Sequence, residues 1–75
     1  MKIAILGATG HIAKNLIVYL HHNPNYEFFL YARNIEMVNS FLKTEIINNA
    51  NIRVLHIDVM YENKCDVIIN CIGIG

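Results

Sequence analysis

Gly7-Ala8-Thr9-Gly10-His11-Ile12-Ala13 follows directly on the apolar run Ile3-Ala4-Ile5-Leu6 and opens directly into a helical pattern. Strand, glycine-bearing turn and helix in immediate succession read as the first β-α unit of an α/β fold. The apolar run is of the kind buried on both faces in a parallel sheet. From His11 the period changes: Ile12, Ala13, Leu16, Ile17 and Leu20 recur at helical spacing, with Lys14 and Asn15 on the other side. His21, His22, Asn23 and Pro24 end this helix, since Asn tolerates the left-handed cap and Pro cannot continue the ladder.

Working outward, Glu27 to Ala32 is aromatic-rich and predicts a second strand. Asn34 predicts a helix N-cap, with Glu36 in the positive first turn. Ile35, Val38, Leu42 and Ile46 then mark one face of a second helix, with Phe41 beside it. Asn48-Asn49-Ala50-Asn51 breaks it, Ile52 to Ile57 predicts strand three, and Asp66 to Ile72 predicts strand four. Crossovers between parallel strands are right-handed, so strand order 3-2-1 places both helices on one face of the sheet. The other face then has no helix of its own and calls for a second half of the fold, a dimer partner or a domain swap. The connection from Asp58 to Cys65 is short: about 8 extended residues reach roughly 26 Å, against roughly 20 Å needed to return past strands two and one. It leaves room for at most one helical turn, and strand four beside strand one completes the order 3-2-1-4.

Seventy-five residues make one domain at most, and so short a chain buries a modest fraction of its surface. The composition is 55% hydrophobic and 16% charged, which suggests apolar surface meant for a partner or for missing sequence. Six basic and six acidic residues balance, and no basic block points to nucleic acid or to an acidic membrane surface. No apolar run approaches the ~18 residues of a membrane span, and the N-terminus reads as a strand rather than a signal peptide. Cys65 and Cys71 are too far apart for a C-x-x-C motif and read as reduced thiols of a cytoplasmic protein.

Each position of the turn has a physical job. Gly7 allows the tight exit from strand one, Gly10 lets a ligand approach the backbone where a Cβ would intrude, and Ala13 lets the helix pack close to the sheet. The N–H groups and positive dipole end of the helix then face an anion, and Thr9 adds a hydroxyl donor. In this context the expected ligand is a dinucleotide held by its pyrophosphate on Gly7, Ala8, Thr9, Gly10, His11 and Ile12, with His11 placed to donate to a phosphate or ribose. The acidic residue that would hold a ribose 2′-hydroxyl is absent at the end of strand two, where the sequence is Tyr31-Ala32-Arg33-Asn34. Arg33 pairs either with a 2′-phosphate, which favours NADP over NAD, or with Glu36 and solvent.

With these residues in hand, the whole chain resembles the first half of a short-chain dehydrogenase/reductase of the extended or atypical branch. That branch includes NAD(P)-dependent epimerases, sugar-nucleotide reductases and NmrA-like proteins. Gly7, Gly10 and Ala13 match its GxxGxxG/A turn, Asp58-Val59 matches its Asp-Val/Leu pair after strand three, and Asn70-Cys71-Ile72-Gly73 resembles its Asn-Ala-Gly-like segment after strand four. The resemblance implies a partial Rossmann fold over residues 1–75 with the catalytic and substrate half absent. It assigns Asp58 to the adenine and Asn70, Cys71, Ile72 and Gly73 to the inner edge of the cofactor. It also implies an oxidoreductase or epimerase. Two other readings follow from resemblance: an NmrA-like, non-catalytic redox sensor that docks on proteins, and the cofactor domain of a semialdehyde dehydrogenase. The last shares the Gly-Ala-Thr-Gly turn and is similar in the helix-end His-Pro segment, here His22-Asn23-Pro24-Asn25-Tyr26-Glu27.

The family's catalytic Tyr-x-x-x-Lys is not in this sequence. The fourth residue after Tyr19, Tyr26, Tyr31 and Tyr61 is Asn23, Leu30, Ile35 and Cys65 in turn, and Tyr61 with Lys64 is spaced by three. The expectation is therefore a chain that binds its cofactor without turnover, with no catalytic residue of its own. The spacing of His11, His21, His22 and His56 matches no metal pattern. Cys71, at the end of an apolar strand with no basic partner in sequence, reads as inert packing.

Overall fold

The computed structural model of the chain describes residues 1–46 and 50–73. The element order is β1 (Lys2–Leu6), α1 (His11–Leu20), β2 (Glu27–Ala32), α2 (Ile35–Glu45), β3 (Ile52–His56), a single 3-10 turn (Ile57–Val59) and β4 (Val67–Asn70). The four strands form one parallel sheet in the order β3-β2-β1-β4. The topology expected from right-handed crossovers is the one observed, and the Asp58–Cys65 connection holds one turn of 3-10 helix.

Both helices lie on the same face of the sheet. Ile3 and Ile5 of β1, Phe28 and Leu30 of β2 and Val54 of β3 pack there against Ala13 and Ile17 of α1 and Val38 and Leu42 of α2. Phe28, Leu30, Ile5 and Ile17 are fully buried. Each such side chain contributes about 1.5–3 kcal/mol relative to exposure, so this face carries most of the hydrophobic stabilisation. Tyr26 meets Phe28 edge-on, with ring centroids 6.2 Å apart.

Three expectations are corrected. Ile12 does not belong to the buried stripe of α1: it is 43% exposed, because the stripe runs through Ala13 and Ile17 and leaves Ile12 to one side. The α1 terminus has no left-handed cap. His21 stays right-handed (φ −65°), and its Nδ1 lies 2.8 Å from the Val18 carbonyl oxygen, at the negative end of the helix. The second sheet face is not bare: Ala4, Phe29 and Tyr31 are buried there beneath Ile57, Val59, Met60 and Cys65. Burial pushes the Cys65 thiol up, with Asp66 and Glu27 adding to the effect and Lys2 opposing it. What remains open on this face is β4, where Ile68 is 64% exposed.

β4 is pinned at its start by Asp66. The Asp66 carboxylate accepts from the Lys2 amide at 2.7 Å, and the Asp66 amide donates to the Lys2 carbonyl at 2.8 Å. Asn48 and Asn49, part of the expected break after α2, lie outside the described residues. Asn34 caps α2 as its sequence position predicts, accepting from the Met37 amide at 3.1 Å, with Glu36 in the first turn. Asn34→Ala is expected to cost about 1 kcal/mol of stability, the scale of a lost N-cap, and Asn34→Asp to restore it. Parallel thermal melts of the two variants measure this.

Candidate functional site

The chain leaves β1 through Gly7, which adopts φ +76°, a conformation that only glycine takes without strain. The Gly7 and Ala8 amides both donate to the Tyr31 carbonyl, at 3.0 and 3.2 Å, so the turn is fastened to the end of β2. The Gly10 amide closes it on the Gly7 carbonyl at 3.2 Å. Gly10 is the N-cap of α1 in an extended conformation, and no side chain caps this helix or places an acid in its first turn. The contrast with α2 is informative. One helix start is capped by Asn34 and neutralised by Glu36, while the other presents its first-turn N–H donors uncapped by any side chain.

Those donors border a cleft of about 530 Å³ at the carboxyl ends of β1, β2 and β4. Gly7, Thr9 and Gly10 form one wall, and Arg33 and Asn34 lie where β2 gives way to α2. Cys71, Ile72 and Gly73 lie beyond β4. Gly73 also has positive φ, +80°. A Cβ added at Gly7 would stand 3.0 Å from the Ile72 nitrogen and 3.1 Å from the Cys71 carbonyl carbon, so the wall and the far side of the cleft touch at this glycine. The cleft is where open parallel sheets hold ligands, outside the strand ends and between the turns that diverge from β1 and β4.

Seven of the residues singled out in the sequence thus line one cleft: Gly7, Thr9, Gly10, Arg33, Cys71, Ile72 and Gly73. Ala8 is buried beneath the turn. His11 and Ile12 sit on the exposed first turn of α1, outside the lining. Asn70 uses its side-chain oxygen to accept from the Ile72 amide at 3.0 Å, which shapes the strand end rather than lining it. Asp58 and Val59 lie in the 3-10 turn just past Ile57. The Asp58 side chain is 82% exposed, and its Oδ2 is 3.3 Å from His56 Nδ1, which also accepts from the Asp58 amide at 3.1 Å. Among the described residues no lysine or arginine stands within ion-pair distance of a carboxylate, so Arg33 is not engaged by Glu36 or any other carboxylate there. Sequence reasoning missed Ala32, Asn34 and Ile57 as lining residues. Their signal is positional: each stands at, or just past, the carboxyl end of a strand.

The crystal structure of the oxidoreductase ylbE from Lactococcus lactis is similar to this chain, with a TM-score of 0.68 and 29% identity over 93% of this chain and 32% of that one. The chain has a partial Rossmann-type fold. Its likeness is to an oxidoreductase, and it spans about a third of that protein's length. No protein-family model matches the chain, and no curated protein does. In this Rossmann-type domain the glycine turn, the uncapped start of α1 and the ends of β2 and β4 all meet at the one cleft. Among the described residues, no helix is long and apolar enough to cross a membrane.

Proposed function

We propose that this chain is the NADP(H)-binding domain of a short-chain dehydrogenase/reductase-like oxidoreductase or epimerase, binding the cofactor without turning it over alone. The observation that carries the reading is the convergence on one cleft of an uncapped helix start and an arginine with no carboxylate partner among the described residues. The pyrophosphate is held by the amides of Gly7–Ile12 and the dipole of α1. Arg33 takes the 2′-phosphate with its planar fork. Ile72 and Gly73 border the inner half of the cofactor, with Asn70 and Cys71 supporting that strand end. Asp58 reaches the adenine from the turn after β3, which Val59 packs onto the sheet. The bound nicotinamide supplies hydride transfer. This chain's residues orient the cofactor, and no Tyr-x-x-x-Lys in the sequence moves a proton for it.

Calorimetric titration with NADPH and NADH, beside Arg33→Ala, tests the proposal. A hydrogen-bonded charge contact is worth about 1.5–3 kcal/mol, roughly tenfold to a hundredfold in Kd. NADPH affinity in Arg33→Ala is expected to fall by that factor to the NADH level, with NADH unchanged. Equal affinities for both cofactors in the wild type would overturn the NADP assignment, and no binding of either would overturn the site. A second reading, a redox-sensing module of NmrA-like type that docks on proteins, draws support from the exposed apolar surface of β4 at Val67 and Ile68. Both readings share the cofactor site.

A further inference from the structure

We infer that His56 is a positioning residue for Asp58, leaving its carboxylate free for a ligand only while the imidazole is neutral, so that dinucleotide affinity falls as pH falls. On the cofactor reading above, on which this inference rests, Asp58 reaches the adenine. One ring nitrogen has two neighbours on the same residue. His56 Nδ1 accepts from the Asp58 amide at 3.1 Å and lies 3.3 Å from Asp58 Oδ2. From the last position of β3 it thereby caps the 3-10 turn that carries Asp58. An imidazole nitrogen that accepts a hydrogen bond carries no proton, so the ring in this arrangement is neutral, with its proton on Nε2. The exposed Asp58 carboxylate then receives nothing from the ring and is open to a ligand.

Protonation reverses this. One nitrogen cannot both accept from an amide and carry a proton. Protonated Nδ1 donates instead to Oδ2, the acceptor already beside it, and the contact becomes a charged hydrogen bond. The Asp58 amide loses its acceptor, and its carboxylate turns to the ring. Histidine changes charge near neutral pH, and the His56 side chain is 42% exposed, so water delivers the proton without unfolding. The rest of the turn is held: Val59 and Met60 pack on Ala4, Phe29 and Tyr31, and the Met60 amide donates to the Ile57 carbonyl at 3.2 Å. Ile57, between the two residues, lines the cleft, so the change at Asp58 falls on the cleft's edge. The surrounding charges leave Asp58 as the group His56 answers to. His56 follows Ile52 and Val54 in alternation, which sets it on the helix-bearing face. Its register partner on β2 is the uncharged Ala32, next to Arg33. On α2, Glu36 stands in the first turn and Lys43 and Glu45 at the far end, and neither glutamate is within ion-pair distance of the ring among the described residues. Arg53 of β3 lies over Phe29 on the other face, which Met60 and Cys65, flanking Glu62 and Lys64, also cover.

The test is titration of the full chain with the acid-stable NADP⁺ at about pH 7.5 and about pH 5.5, comparing wild type, His56→Ala and His56→Asn. Circular dichroism melts at both pH values check the fold. Asparagine keeps an oxygen that accepts from the amide two residues on, and it takes no proton. Titration of the ligand's phosphate and of His11 is common to all three proteins, so the ratio between them isolates His56. Between the two pH values, wild-type affinity is expected to fall about threefold to tenfold relative to His56→Asn. At the higher pH, His56→Ala loses about threefold to tenfold, and His56→Asn restores most of it. In the free chain, nuclear magnetic resonance is expected to show the Asp58 amide proton moving upfield as pH falls in wild type and staying in place in His56→Asn. If wild type and His56→Asn lose affinity in parallel, or the Asp58 amide moves alike in both, His56 does not position Asp58, and the cofactor reading stands without it. Wild-type affinity in His56→Ala at the higher pH overturns the inference in the same way. A wild-type chain that binds no NADP⁺ at the higher pH would sink both readings together.

Discussion

Gly7→Ala is expected to lower the melting temperature of this domain by about 8–40 °C. Two effects add. A non-glycine residue in the left-handed region costs about 1–2 kcal/mol, and Gly7 has φ +76°. The new methyl also lands 3.0–3.1 Å from backbone atoms of Cys71 and Ile72, an overpacking worth about 1–3 kcal/mol. Neither neighbour is free to give way, because the Cys71 amide donates to the Leu6 carbonyl at 2.9 Å and the Ile72 amide to the Asn70 side chain at 3.0 Å. The sum, about 2–5 kcal/mol, converts at about 4–8 °C per kcal/mol for a domain of this size. Circular dichroism melts measure it. A drop under about 3 °C would show that the segment after β4 moves aside at little cost, and the contact between turn and strand end would lose its structural role.

Much of this architecture was legible because it is written in short-range pattern. The continuous apolar run marked β1, the period-3.6 run marked α1, the aromatic run marked β2, and Asn34 announced the start of α2. The handedness of crossovers then ordered the sheet without any further contact being known. What escaped depends on residues far apart in sequence. The Lys2–Asp66 pairing that seats β4 joins positions 64 residues apart, and an aspartate before an apolar run carries no local mark of it. The cover over Ala4, Phe29 and Tyr31 comes from Ile57–Cys65, which has no regular period and so reads as a bare connection. The cleft was legible at Gly7, Gly73 and Arg33, where residue type follows backbone shape or charge, and at Gly10 by its place in the turn. It was not legible at Ala32 or Ile57, where side-chain chemistry is ordinary and only position matters.

The same substitution at the other glycine of the turn separates shape from access. Gly10 has φ −75° and ψ 157°, an extended conformation open to any residue, so its backbone does not require glycine. Gly10→Ala is therefore expected to leave the fold intact. The gain of about 0.4–1 kcal/mol from a stiffer unfolded chain nearly offsets the poorer N-cap, about 0.5 kcal/mol. Melts should stay within about 4 °C of wild type. Binding is another matter. Gly10 lines the cleft, so on the proposed reading an added methyl is expected to crowd the phosphates on the amides at the start of α1. Lengthening those charge-assisted hydrogen bonds weakens NADPH and NADH alike by about tenfold to a hundredfold, 1.4–2.7 kcal/mol. That pattern is the reverse of Gly7→Ala, which strikes stability first, and it differs from Arg33→Ala, which strikes NADPH alone. If Gly10→Ala binds both cofactors as the wild type does, the pyrophosphate does not rest on this turn, and the glycine there serves packing only.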